Sequence, residues 1–432
     1  SLIPLVHAFP AAVAGPALAD LARSDAVRAV TADRSGRFSS MTDDAPSTAS
    51  SFPVSTGATS AWRGGDLGAG VGVAVIDTGV SAVGDLAGGL VQGPDLSGEG
   101  SPVDTYGHGT VMAGIIAGRG ADSATDAKGA FVGMAPGARV ISVKTAGADG
   151  ATDVSTVLAA MSWVSASAAE HNIRVVNLAW GTPSTQNPTL DPLNQAVERL
   201  WAQGIVVVVA AGNAGPGPST VTKPGDDPMV ITVGAYDDRG DANPANDKVP
   251  SWSSRGPTAA GVAKPDLVAP GRTLISTRSP GSTVERENAK ALVGASYIKG
   301  SGTSQASAVT SGAAALLLAA HPSYTPDQVK AVLTATALTL TGPQGAGAGS
   351  GRLRVGEALV ADPGPARWQP ASATAPGAPG DPNWTGSSWT GSSWTGSSWT
   401  GSSWTGSSWT SAFWGDRPRA SQHLPGEASA PD

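Results

Sequence analysis

The chain is 432 residues long, carries 27 Lys and Arg against 34 Asp and Glu for a net charge of −7, and has no cysteine. An acidic balance argues against a nucleic-acid binder, whose footprint is a basic excess, and the lack of cysteine excludes a disulfide scaffold, a thiol nucleophile and a cysteine-built zinc site. At 40% hydrophobic and 14% charged the composition is that of a folding chain, and no uncharged apolar run reaches the ~18 residues of a membrane span.

Residues 1–40 read as a small module. Leu18, Leu21, Val27 and Val30 pattern a helix over 15–24 and a strand over 27–31, too little material for an independent core. The start, Ser1-Leu2-Ile3-Pro4, lacks the basic opening of a secretory leader, so the chain reads as a processed product. Residues 41–60 open on a polar Ser/Thr/Asp run and read as a linker.

Residues 61–361 read as repeated strand–helix units. Strands are expected at 71–76, 139–144, 173–179, 205–210 and 229–234, each a continuous Val/Ile-rich run of the kind buried on both faces of a parallel sheet. Between them the helix punctuation is legible. Asp191 caps a helix with Pro192 first and Gly204 as its stop, and Thr325-Pro326-Asp327-Gln328 is a capping box. Alternating strands and helices predict an α/β fold, a doubly wound, mainly parallel sheet flanked by helices. In such sheets ligands bind beyond the carboxyl ends of the strands.

Beyond the sheet region, 362–382 is a Pro/Gly/Ala linker, 383–414 repeats Trp-Thr-Gly-Ser-Ser with tryptophans at 384, 389, 394, 399, 404 and 409, and 415–432 is a tail. A five-residue period aligns no single stripe in a helix or a strand. Three readings stay open for these indoles: a disordered low-complexity tail, contact with glycans or a cell surface, or packing along the sheet domain.

Four segments carry chemistry. Asp77 ends the buried run Val73-Ala74-Val75-Ile76, His108 sits in Tyr106-Gly107-His108-Gly109-Thr110 ahead of a helix, and Ser304 follows Gly300-Ser301-Gly302-Thr303 ahead of another. A serine hydroxyl is a weak nucleophile until a base removes its proton, histidine suits that task near neutral pH, and a carboxylate fixes the imidazole tautomer. Asn213 closes the run Val206–Ala210-Ala211-Gly212. Its side-chain amide and the backbone N–H at the Ser304 helix start are the donors a tetrahedral oxyanion needs, and losing one such donor costs ~10²–10³ in rate.

With these segments in the order aspartate, histidine, asparagine, serine, and with Ser253-Ser254-Arg255-Gly256-Pro257 and Lys264-Pro265-Asp266-Leu267-Val268-Ala269-Pro270-Gly271 between them, the chain resembles the subtilisin-like serine peptidases (subtilases) over roughly residues 60–361. The resemblance implies Asp77, His108 and Ser304 as a catalytic triad and Asn213 as the oxyanion donor. It implies an extended peptide or protein substrate lying between Ala148-Asp149-Gly150-Ala151 and Leu178-Ala179-Trp180-Gly181, with the Trp180 indole narrowing or capping a subsite. It also implies a secreted enzyme that needs no cofactor for catalysis, with calcium assigned to no residue. Residues 1–40 resemble the second half of the family's inhibitory propeptide. One departure stands beside the nucleophile: Gln305-Ala306-Ser307-Ala308 occupies the place where the family commonly has Met-Ala-x-Pro.

Other residues have quieter readings. Asn177, inside a strand, is a hydrogen-bonded core amide; His171 and His321 lie at helix ends, where the dipole favours them; Trp163 and Trp201 pack on helices. The competing functional reading is a surface- or glycan-binding protein with a slow or self-inhibited peptidase domain.

Overall fold

The computed structural model describes residues 2–364 apart from 9, 14–16, 19–20, 22, 25, 34, 38–50, 125–129, 185, 242 and 341. The linker 362–382 is therefore described only to residue 364, and the tryptophan repeat and the tail lie outside the described residues, as do five of the ten residues of the expected 15–24 helix.

Strand β1 (Ser35–Arg37) and two short helices, α1 (Phe52–Ser55) and α2 (Ala58–Arg63), precede the main sheet. The sheet is built from β2 (Gly72–Asp77), β3 (Leu90–Asp95), β4 (Arg139–Lys144), β6 (Ile173–Leu178), β7 (Val206–Ala210), β8 (Ile231–Tyr236) and β9 (Leu267–Pro270), with β5 (Ala151–Asp153) outside it. Its order is β3-β4-β2-β6-β7-β8-β9, with every neighbouring pair parallel. All residues of β2, β7 and β8 are buried, which is why these runs are apolar without alternation. The chain winds to one side of β2 to make β3 and β4, then to the other for β6 onward. That reversal is where an α/β sheet opens a crevice at its carboxyl edge.

The longer helices are α3 (His108–Ala117), α4 (Val154–His171), α5 (Pro192–Ala202), α6 (Thr303–Ala320) and α7 (Pro326–Ala335). Two caps are as expected: Asp191 accepts from the Leu193 N–H with Pro192 at the first position, and Thr325 and Gln328 form a reciprocal capping box. Helix α3 is buried along its whole length, and α6 from Thr303 to Leu318. α6 packs on α3 and across β6, β7, β8 and β9, and its Ala, Ser, Thr and Gly residues let the backbones approach. Asn177 is the core amide expected: its Oδ1 accepts from Ser307 Oγ at 3.1 Å and Ser311 Oγ at 3.0 Å. Those serines are one turn apart on one helix face, so a single β6 side chain sets the register of α6.

Two expectations at the amino-terminal side change. The span 27–31 forms no strand. The ladder appears only at Ser35–Arg37, where the chain meets the free edge of β5 and pairs antiparallel, Gly36 opposite Thr152. The expected linker does not persist to residue 60, because Phe52, Ala58 and Ala61 are buried in the core and draw 52–63 into helices. Ile3 and Leu5 are also buried, the turn Pro4–Val6 lies against α4 and α5, and the Leu5 N–H donates to Ser162 Oγ at 3.3 Å.

Candidate active site

Asp77 is the last residue of β2 and is fully buried. Its Oδ1 accepts from the Thr78 N–H at 2.8 Å, and the His108 imidazole faces the carboxylate with Nδ1 2.8 Å from Oδ1 and 3.0 Å from Oδ2. An ionised carboxylate only accepts, so Nδ1 carries the proton and Nε2 keeps the lone pair of a general base. Helix α3 approaches this closely because Gly109 has no side chain: a Cβ there would collide with the Gly79 carbonyl oxygen and touch Asp77.

Sequence reasoning missed Asp104. Fully buried, it accepts from the Gly107 N–H at 2.6 Å, the Thr110 N–H at 2.8 Å, Thr110 Oγ1 at 2.7 Å and Thr78 Oγ1 at 2.7 Å. Thr78 Oγ1 in turn accepts from the Gly109 N–H at 2.9 Å. Asp104 thus holds both sides of His108 and the first turn of α3, where helix N–H groups need acceptors. Burial pushes its carboxyl up to about 6, against these four hydrogen bonds. An aspartate shortly before a helix start was the available signal.

Ser304 is the second residue of α6 and is fully buried; its Oγ donates to the Ala179 carbonyl at 3.3 Å. Ala179 directly follows β6, and Asp77 ends the neighbouring β2, in a register that sets Val75 opposite Asn177. Counting two residues on, Asp77 and Ala179 stand level on strands about 4.8 Å apart. The serine hydroxyl and the aspartate–imidazole pair are therefore anchored to adjacent strand ends.

Asn213 follows β7, the next strand. Its Oδ1 accepts from the Thr303 N–H at 3.0 Å and Thr303 Oγ1 at 2.9 Å. That fixes the amide's orientation and leaves Nδ2 as the outward donor. A Cβ on Gly302 would lie 3.3 Å from Asn213 Nδ2 and 3.7 Å from the Ser304 nitrogen, so the two expected oxyanion donors border one small space that glycine keeps open. Thr303, which sets the amide, was not singled out from sequence.

The expected peptide-pairing segments fit less simply. The Ala148 peptide is engaged within the protein, its N–H donating to Glu99 Oε1 at 2.7 Å and its carbonyl accepting from Thr283 Oγ1 at 2.7 Å. The Gly150 N–H closes a turn onto the Gly147 carbonyl, and the Ala151 N–H donates to Asp149 Oδ1 at 3.0 Å. Extended pairing instead takes place at 151–153, with β1. On the other side Ala179 is engaged by Ser304, and Gly181 lies against Thr222 and Lys223. Trp180 is 1% exposed and belongs to the core, so its indole is packed inward rather than walling an open subsite. Among the described residues no three His, Cys, Asp or Glu side chains converge as a metal cage, and no helix is long and apolar enough to cross a membrane.

Comparison with known proteins identifies the family. The Subtilase family model matches residues 68–356. Serine protease AprX of Bacillus subtilis (strain 168) is 40% identical over 272 residues, 62% of this chain and 61% of that protein. Subtilisin DY of Bacillus licheniformis is 34% identical over 280 residues, 64% of this chain and 86% of that protein. Among solved structures, fervidolysin from Fervidobacterium pennivorans, a keratinolytic enzyme related to subtilisin, superposes with a TM-score of 0.58 at 25% identity, covering 76% of this chain and 51% of that one. The chain thus spans about three-fifths of AprX and half of fervidolysin.

Proposed function

The chain belongs to the subtilase family, and from that premise we propose that it is a serine endopeptidase whose triad is Asp77, His108 and Ser304. The observation that carries the residue assignment is the Asp77–His108 contact at 2.8 Å beside a Ser304 hydroxyl held on the next strand end. His108 Nε2 takes the Ser304 proton as Oγ attacks the peptide carbonyl, and Asp77 keeps the tautomer and stabilises the imidazolium. Asn213 Nδ2 and the Ser304 N–H receive the oxyanion. His108 then protonates the departing amine, and water, deprotonated by the same imidazole, releases the acyl group. No step calls on a cofactor. No observation favours the alternative of a surface-binding protein with slow chemistry.

The amino-terminal piece is read as a partial propeptide that competes with substrate. Its support is the pairing of β1 with β5 at the edge of the cleft and the seating of Pro4–Val6 on α4 and α5. Secretion is proposed on family membership alone. The central test is Ser304→Ala: peptide hydrolysis and labelling by a fluorophosphonate are expected to vanish while the thermal transition persists. Wild type that neither cleaves peptides nor takes the label would end the reading.

A further inference from the structure

Gln305 follows Ser304 in α6 and is 1% exposed, yet neither Oε1 nor Nε2 of its side chain has a hydrogen-bond partner. A buried polar group left unpaired is costly, and such groups in native folds are few. Its position gives the reason for keeping it. Oε1 lies 2.8 Å from where a Cβ on Gly302 would stand, the point that Asn213 Nδ2 and the Ser304 nitrogen approach at 3.3 and 3.7 Å. Three polar groups therefore border one small space, and two of them are N–H donors. Thr303 locks the Asn213 amide, whereas no hydrogen bond holds the Gln305 amide. Rotation about its last side-chain bond exchanges oxygen and nitrogen while leaving the rest of the side chain in place.

The geometry points to Gln305 as a third hydrogen-bond donor in the oxyanion pocket, its NH2 turning toward the negative oxygen of the tetrahedral intermediate. The inference rests on the serine-peptidase reading above and adds one group to it. At rest the carbonyl oxygen borders the same space as the two donors and is bonded to neither. When the substrate oxygen becomes anionic that end is repelled, and the amide turns over. The ligand is the oxyanion of a peptide carbonyl adduct on Ser304, and no proton changes owner at Gln305. Methionine, the family's commoner residue here, has no N–H to offer. Because this donor must reorient, its share is smaller than that of a fixed one, about tenfold in rate.

The test compares full-length wild type with Gln305→Met and Gln305→Leu on a chromogenic peptide and against a peptide trifluoromethyl ketone, which adds to the serine as an anionic tetrahedral adduct. The expected result is kcat down about tenfold with KM unchanged, Ki for the ketone up by the same factor, and Tm unchanged or higher because an unpaired amide is gone. Unchanged kcat and Ki, or a loss seen only in KM or Tm, would overturn the inference. If Gln305→Leu fails to fold, Gln305→Met, unbranched and adaptable, decides. Wild-type labelling by a fluorophosphonate separates the outcomes: labelled wild type with indifferent variants sinks the role of Gln305 alone, and unlabelled wild type sinks the peptidase reading with it.

Discussion

The Thr78 hydroxyl donates to Asp104 at 2.7 Å while the Thr78 N–H donates to Asp77 at 2.8 Å. One threonine therefore couples two buried carboxylates, one facing the imidazole ring and the other holding the backbone on either side of it. The ring is oriented from its Nδ1 side and through its own main chain at once.

Asp104→Asn tests the second hold. Asparagine presents one acceptor oxygen and one donor nitrogen, so it cannot receive all four bonds. We expect kcat to fall by about 10- to 100-fold with little change in KM, since a small misplacement of a catalytic group is that costly. Steady-state kinetics on a small peptide check it, and an unaltered kcat refutes the positioning role.

The same carboxyl should leave a mark on stability. Its value rises from 3.8 to about 6 on folding, so between those pH values the folded state holds a proton that the unfolded state has released. Stability from this group is then greatest below pH ~4 and is lost as pH rises to ~6, by up to about 3 kcal/mol. Urea titrations at pH 4 and pH 6.5 should show the stability of wild type relative to Asp104→Asn falling by up to that amount as pH rises. A difference independent of pH contradicts it.

Asn177→Leu would leave the Ser307 and Ser311 hydroxyls without the oxygen they share. A loss of about 2–4 kcal/mol is expected. Because those serines and Ser304 lie on one face of α6, kcat should fall as well, in material still fully folded at 20 °C. Calorimetry and kinetics on the same preparation report both, and full activity with reduced stability would separate helix register from catalysis.

Leu5→Asp should loosen the amino-terminal piece by replacing a buried contact worth about 1.5–3 kcal/mol. If β1 and substrate compete for the β5 edge, initial hydrolysis of a short peptide rises, up to about tenfold. An identical rate in variant and wild type would show that the piece leaves the cleft accessible.

Much of this was legible in the residues, for physical reasons. Strands buried on both faces are uniform apolar runs, so the five expected ones lie within two residues of β2, β4, β6, β7 and β8 at each end. Asp77, Asn213, His108 and Ser304 were conspicuous because they interrupt apolar runs or glycine-rich turns where strands end and helices begin. β3 was hidden, being only partly buried and carrying Gly93 and Pro94, as was β9, four residues long. Asp104 and Thr303 act through bonds to residues that only the fold brings near. The 27–31 segment shows the converse: a strand-like pattern stays irregular until an open edge is beside it.

Asp77, Ala179 and Asn213 stand at the finishing points of three adjoining strands, whereas 148–153 and the turns that flank it are connecting segments. On the proposed reading, reaction and recognition are built from separable parts. Exchanging the connecting segments would then alter which peptides are read without moving the groups that break the bond.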